Sequence, residues 1–338
     1  MSSYIHEMVS EVDVERLKGY VKKVEGLRHG CENYDALEEK AKYIEETLRS
    51  FNLIVESQEV PFYGRTYRNI IATIEGVDKE KEWILLGAHY DAARGSPGAD
   101  DNASGVAVLL EVAHILSGQR LHRTVEFVAF TLEEPQPQPL SFLIGSDYFA
   151  KEAKRVNRRY EAVFVLESVG YTDNSEKSQT VPIFIRIAVP KKGNFLGVIA
   201  NRRSKAAMDA FHSITSNYVP DLVVVPYKVP LSGRFIPETR FSDHASFWNY
   251  GYPAIMLTDT AMFRNPHYHT HHDRHETLNF AFIENVSKAV VSVIGILASF
   301  CLLFMAQAIG ACQPDMGLWI SFISLIFMLL YLVKVPFT

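Results

Sequence analysis

The stretch from Trp83 to Val112 constrains the fold more than any other part of the chain. An apolar run, Trp83-Ile84-Leu85-Leu86, leads through Gly87-Ala88-His89-Tyr90-Asp91 into the glycine-bounded turn Gly98-Ala99-Asp100-Asp101-Asn102-Ala103-Ser104-Gly105. The helical pattern Val106 to Val112 follows at once. Read physically, a buried strand ends in nitrogen and oxygen donors and a helix begins just after them. Open α/β sheets bind ligands beyond the carboxyl ends of their strands, so a histidine and three aspartates gathered there form a candidate site.

Strands and helices alternate along the rest of the chain. Two amphipathic patterns, 12–27 and 34–48, predict covering helices within residues 11–50, and the apolar segments 53–60 and 67–75, split by Tyr63-Gly64-Arg65, predict a hairpin at the sheet edge. Beyond the strand ending at Ala88 come a helix over 104–116, a strand over 124–131, a helix over 144–153 and a strand over 162–166. The pattern continues with a strand over 182–189, a helix over 205–215, a strand over 221–227, an irregular loop over 230–240 and a strand over 253–257. A last helix begins near Glu276, and Pro135-Gln136-Pro137-Gln138-Pro139 reads as an extended loop beside the site. Alternation at this spacing predicts a three-layer α/β/α fold around a mixed, mainly parallel sheet.

With 338 residues, 48% of them apolar, the chain can bury a large core. A net charge of -5 and the lack of a basic stripe with interleaved aromatics argue against a nucleic-acid partner. Cys31, Cys301 and Cys312 are too far apart to suggest a disulfide framework or a Cys-x-x-Cys metal site, and the N-terminus shows no secretory signal. The C-terminal part is different, because 289–311 and 317–333 carry no charge. Seventeen residues of helix span about 26 Å, close to a bilayer core. The expected division is therefore a catalytic domain over 1–288 and, over 289–338, a closing helix with a membrane anchor. Lys288 and Lys334 would share one side of that membrane, which by the positive-inside rule places the catalytic domain in the cytoplasm. The soluble alternative makes 282–303 the closing helix of a cytoplasmic protein.

Four predicted strands end in residues able to hold a metal: His89 and Asp91, then Glu133 and Glu134, then Glu167, then the histidine loop 267–275. Asp91 is near enough in sequence to orient His89 from behind, although a solvated turn pair is the ordinary reading. Asp101 is either an N-cap or a carboxylate bridging two cations. Neighbouring side chains on a strand point to opposite faces, so one of Glu133 and Glu134 can bind metal while the other faces a bound water. Ser242-Asp243-His244 spells a triad but cannot act as one, because consecutive residues do not converge; Asp243 and His244 are read as structural or as supports behind the ligands.

At these residues the sequence resembles the co-catalytic di-zinc exopeptidases, the group of bacterial leucyl-type aminopeptidases and glutamate carboxypeptidase-like enzymes that counts the glutaminyl cyclases as relatives. The resemblance runs from about residue 40 to 290 through G-A-H-Y-D, G-A-D-D-N-A-S-G, Glu133-Glu134 with Gly145-Ser146, S-D-H-A-S-F-W, and N-P-H-Y-H-T with Asp273 beyond. It implies two Zn2+ per chain, with His89 and Glu167 on one, Glu134 and His269 on the other and Asp101 between them. It also implies Glu133 as general base, Asp91 as orienter of His89, no role for Asp100 at the metal, and aminopeptidase action on a peptide or small amide. Two features depart from the family: the segment after Glu133-Glu134 is lengthened by Pro135 to Ile144, and Glu167 stands where many aminopeptidases have aspartate. A carboxypeptidase or N-acyl amino-acid amidohydrolase is the alternative within hydrolases, with Arg234 or Arg240 holding a substrate carboxylate. A glutaminyl cyclase would carry D-S-A-x-P where this chain has D-N-A-S-G. A non-catalytic receptor or scaffold on the same fold is the alternative of another class, and the full set of five ligands and a base argues against it.

Overall fold

The computed structural model describes residues 2–137, 140–182 and 189–299. Helices α1 (Ser2–Ser10), α2 (Val14–Val24) and α3 (Tyr34–Ser50) precede the hairpin strands β1 (Ile54–Phe62) and β2 (Arg65–Ile74). Next come β3 (Trp83–His89), α4 (Gly105–Ser117), β4 (Val125–Phe130), the two-residue strands β5 (Gln136–Pro137) and β6 (Leu140–Ser141), and α5 (Ile144–Arg155). The chain continues through β7 (Tyr160–Glu167), β8 (Leu196–Ala200), α6 (Lys205–Tyr218), β9 (Val224–Lys228), α7 (His244–Asn249), β10 (Ala254–Thr258) and α8 (Phe280–Ala298).

Eight strands form one sheet in the order β1-β2-β4-β3-β7-β10-β8-β9. Neighbours are parallel from β4 through β3 and β7 to β10 and again between β8 and β9; the β1–β2 hairpin sits antiparallel at the edge, as expected. Strand β8 runs antiparallel to β10, which makes the sheet mixed. Along β3, Ile84, Leu86 and Ala88 enter one core while Leu85 enters the other. Both faces of the strand are covered, which is why its sequence is apolar without alternation. Helices α4, α6 and α8 pack on the larger core; Phe149 of α5 and Phe247 of α7 fill the smaller one beside Phe130. This is the three-layer α/β/α architecture expected from the alternation.

Several local expectations need correction. Helix α1 is not marked by any pattern strong enough to predict it; it forms because Ile5 and Met8, both buried, dock on α8, where a Cβ on Gly295 would lie 2.7 Å from the Met8 methyl. Strand β8 and helix α7 were also unforeseen, each being only five or six residues long. The last helix begins at Phe280 rather than near Glu276, where the side chain of Asn279 accepts from the N–H groups of Ala281 and Phe282. Within the proline segment, Gln136 and Pro137 form a two-residue strand paired antiparallel with Leu140 and Ser141 rather than a plain extended loop. Most of the strand expected over 182–189 lies outside the described residues, as does the apolar tail beyond Ser299.

The compact unit runs Met1–Ser299, so the expected division at 288/289 falls inside α8. Among the described residues α8 alone is long and apolar enough to cross a membrane, and 61% of its most apolar window is buried in the protein. Val286, Val290, Val293 and Ile294 pack into the larger core.

Candidate metal centre

The carboxyl ends of β3, β4 and β7 converge on one point. His89 closes β3 and Glu167 closes β7, and the two sit on neighbouring parallel strands. Asp101 is not an N-cap. It lies in an irregular turn, Ala99–Ser104, and α4 starts only at Gly105. Freed from capping, its carboxylate stands between two sets of donors: Oδ1 is 3.1 Å from His89 Nε2 and Oδ2 is 3.0 Å from His269 Nε2. Glu167 Oε2 lies 3.4 Å from His89 Nε2, and Glu134 Oε1 lies 3.3 Å from His269 Nε2. Two groups result, His89-Asp101-Glu167 and Asp101-Glu134-His269, each with its donor atoms within 4.8 Å of one another.

Glu133 and Glu134 lie beyond the strand and not on it, so the expected alternation across a pleat does not apply. Strand β4 ends at Phe130, and the chain turns through Leu132 at φ 53 before reaching them. Their divergence comes from that turn: Glu134 points to His269, while Glu133 Oε2 stops 3.9 Å from His89 Nε2 and the residue keeps 7% exposure. Asp91 secures this turn, its two oxygens accepting the N–H groups of Glu133 at 3.0 Å and Glu134 at 3.1 Å. Its distance to His89 Nδ1 is 3.5 Å, longer than a normal N–H···O bond. Ser168, directly after Glu167, has φ 47, and His269 itself has φ 58. Such conformations cost roughly 1–3 kcal/mol each, so tertiary contacts must enforce them at His269 and beside Glu167.

The supports behind the ligands were mostly invisible in sequence. Asn102 spans Glu167, donating to Leu166 O at 2.8 Å and accepting from Ser168 N at 3.1 Å; it also accepts from Gly105 N, where a Cβ would come within 2.4 Å of Asn102 Oδ1. Asp273 accepts from the N–H groups of Asp100 and Asp101. Asp100, which the sequence reading kept away from the metal, accepts from Gly170 N at 2.8 Å and Asn265 Nδ2 at 2.7 Å. Of the histidine loop, His269 alone approaches the acidic cluster, and His275 pairs with Glu25 at 2.6 Å. His244 Nε2 donates to Thr239 O at 2.9 Å, and the ring packs edge-on against Trp248. Asp243 is buried with neither oxygen hydrogen-bonded. The Asp and Asn in G-A-D-D-N-A-S-G and the Asp beyond the histidines were the only signals in the chain for these supports.

The electrostatics are those of an acidic cluster held out of water. Burial raises Glu133 well above the usual carboxylate range and lifts Glu134 to about 7, with the charges of neighbouring carboxylates adding to both. Burial works against charging the two imidazoles, yet the carboxylates prevail, holding His89 well above its ordinary value and raising His269 to about 11. His89 Nε2, Asp101 Oδ1, Glu134 Oε1 and Glu167 Oε2 are buried without a hydrogen-bond partner. Buried donors and acceptors are seldom left so. Imidazole nitrogens and carboxylate oxygens at this spacing fit divalent zinc in chemistry and in number.

Beside Glu167 opens a cavity walled by Phe195, Ile199, Val225, Met256 and Phe263, with Tyr268 at its rim stacked on His269. Among the described residues of its lining, Glu167 and Glu238 are the charged side chains. Arg240 is engaged elsewhere, donating to Ser232 O and Asn249 Oδ1, both at 2.7 Å.

Two donor sets sharing one carboxylate, at the carboxyl edge of an α/β sheet and beside an apolar cavity, make up the layout of a metal-dependent hydrolase. The chain belongs to peptidase family M28, whose profile matches residues 69–294. It is 37% identical over 280 residues to the uncharacterized protein YfbL of Escherichia coli (strain K12), covering 78% of this chain and 81% of that one. A probable leucine aminopeptidase of Arthroderma otae is 29% identical over 244 residues, 68% of this chain, which spans only 57% of that longer protein. Among solved structures, LapB of Legionella pneumophila superposes with a TM-score of 0.68 at 22% identity, covering 87% of this chain and 75% of that one. A glutaminyl cyclase of Porphyromonas gingivalis gives 0.63 at 21%, covering 85% and 99%. At such identities the last two likenesses speak for the fold alone. Membership of this peptidase family makes the chain a zinc-dependent exopeptidase.

Proposed function

We propose that the chain is a di-zinc aminopeptidase that releases N-terminal residues from peptides. In this reading His89 and Glu167 hold one ion, Glu134 and His269 hold the other, and Asp101 lies between them. The observation that carries it is the placement of the two Asp101 oxygens, one 3.1 Å from His89 and the other 3.0 Å from His269. When bound, the ions polarise the scissile carbonyl and lower the pKa of water. Glu133, buried with 7% exposure, takes the proton from the attacking water and returns it to the leaving amine. Among the described residues the charged side chains of the lining are both acidic, which suits a substrate ammonium near Glu167, and Arg240 is already committed; both favour an aminopeptidase over a carboxypeptidase or acyl-amino-acid hydrolase. The aminopeptidase named among the relatives points the same way.

Glu133→Gln tests the reading: it should keep about two zinc ions per chain and lose on the order of 10² to 10⁴ in kcat on an aminoacyl amide. Wild-type turnover in that variant, or a chain that binds no zinc, would refute it. A panel of peptides with free and acetylated N-termini, assayed with and without chelator, should show cleavage of the free amines only, abolished by chelation and restored by zinc.

We also propose that the tail holds the catalytic unit at a membrane from the cytoplasmic side. The support is compositional: 317–333 is uncharged, and α8 is already spent on the core, which leaves the later segment as the anchor.

A further inference from the structure

Arg28 is fully buried and is the largest such side chain described in the protein. A guanidinium taken out of water normally ends on a carboxylate. This one ends on carbonyls: Nε donates to Tyr90 O at 2.7 Å, Nη2 to Gly98 O at 2.8 Å, and Nη1 to Gly26 O at 3.0 Å and to Pro97 O. Tyr90 is the residue between His89 and Asp91, and Gly98 opens the turn that carries Asp101. The planar fork therefore joins the strand end bearing one set of donors to the loop bearing the shared carboxylate. Gly98 is bound to be glycine by this approach, since at φ +60 a Cβ would stand 3.0 Å from Arg28 Nη2 and 2.2 Å from Asp101 O.

The segment around Arg28 reinforces the tie. Gly26 N donates to Pro97 O at 2.9 Å, and Glu25 receives His275 N at 2.9 Å and His275 Nδ1 at 2.6 Å, which fastens the end of the loop that carries His269 and Asp273. Asp91, Asp273, Asp101 and Glu134 are the acidic groups whose charges reach the guanidinium. None of them is hydrogen-bonded to it, so its positive charge offsets the cluster as a whole without drawing any ligand oxygen aside.

We infer that Arg28 is a positioning residue of the metal centre, fixing the separation of the His89–Asp91 strand end from the Asp101 loop through main-chain carbonyls. The inference rests on the metal-peptidase reading and adds to it a residue outside the ligand set. Lysine keeps the charge but has one donor nitrogen in place of a fork, so it cannot hold both loops. The test is zinc titration of the purified full-length apoprotein against a chromophoric chelator, with thermal unfolding recorded in parallel. Arg28→Lys and Arg28→Met should bind zinc at least about 10-fold more weakly than wild type, in line with the cost of losing groups that orient metal ligands. Arg28→Lys should lose less than Arg28→Met.

Arg158→Met is the control for stability. Arg158, by contrast half-buried, is paired with Glu126 at 2.7 Å just before β7 begins, at the opposite end of the strands from the candidate metal centre. It should lower the unfolding temperature and leave zinc affinity within about 3-fold. Zinc affinity equal to wild type in both Arg28 variants, or an equal loss in Arg158→Met, overturns the inference. Wild-type protein that takes up no zinc overturns the metal-peptidase reading instead.

Discussion

At the scale of single residues, the side chains that hold the ligands matter as much as the ligands. Asn102 touches the backbone on both sides of Glu167, so Asn102→Ala leaves Leu166 O and Ser168 N unpaired in the interior. The expected loss is about 2 kcal/mol of stability, from the usual cost of a buried unpaired polar group. Zinc binding should weaken with it, because Glu167 is then fixed from its strand alone; chemical unfolding and metal titration check the two effects separately.

His244 gives a pH prediction whose sign is fixed by its burial. Burial lowers its pKa to about 3, from an ordinary value of 6.5. Between those values the unfolded chain takes up a proton that the folded chain refuses, so the contribution is complete above pH 6.5 and drains away as the pH falls toward 3. His244→Gln can still donate to Thr239 O but does not titrate. The stability gap between wild type and this variant, measured by urea unfolding from pH 7 to pH 4.5, should move against wild type by up to about 1.4 kcal/mol per pH unit. A gap that stays constant with pH would refute the assignment.

At the scale of elements, the N-terminal helices are fastened by a few polar contacts as well as by packing. Helix α2 docks on α4 through Arg16, whose Nη2 and Nε reach the fully buried Glu111 at 2.7 and 3.0 Å, while Asp13 N donates to the same carboxylate. Arg16→Met would strand a buried charge. Because Arg16 is itself 33% exposed, the expected cost is roughly 2–3 kcal/mol, at or below the low end for a broken buried pair. The unfolding midpoint should drop with catalysis intact at low temperature. Helix α8 shows how an element can mislead in isolation: by length and hydropathy it suits a bilayer, yet its apolar face is the inner wall of the larger core.

At the scale of the whole molecule, the sheet sets where chemistry can happen. Parallel strands β3, β4 and β7 deliver their carboxyl ends to one edge, where the strand ends and the loops that leave them carry the candidate ligands together with the histidine loop after β10. The compact unit ends at Ser299. A chain cut after Ser299 should stay in the soluble fraction with its peptidase activity, whereas the full chain should pellet with membranes after carbonate extraction. Full-length protein released by carbonate would refute the anchor.

The sequence by itself determined the layer architecture and, through its resemblance to a known family, named the candidate ligands. Apolar runs of strand length alternating with helical periods leave little choice but a covered, largely parallel sheet, and His89, Asp101, Glu134, Glu167 and His269 each stand at or beyond the end of such a run. Those are local facts, carried by a few adjacent letters. Tertiary structure alone decided that Asp101 turns one oxygen to each donor set, that Glu133 and Glu134 diverge through a strained turn rather than across a pleat, and that Asp91 serves two backbone N–H groups before it serves His89. It also decided that an arginine sixty residues upstream binds the carbonyls of Tyr90 and Gly98. The physical reason is that these are contacts to main chain. A carbonyl or an amide is present at every position, so its choice of partner leaves no mark on the sequence and is settled only when distant segments close on one another.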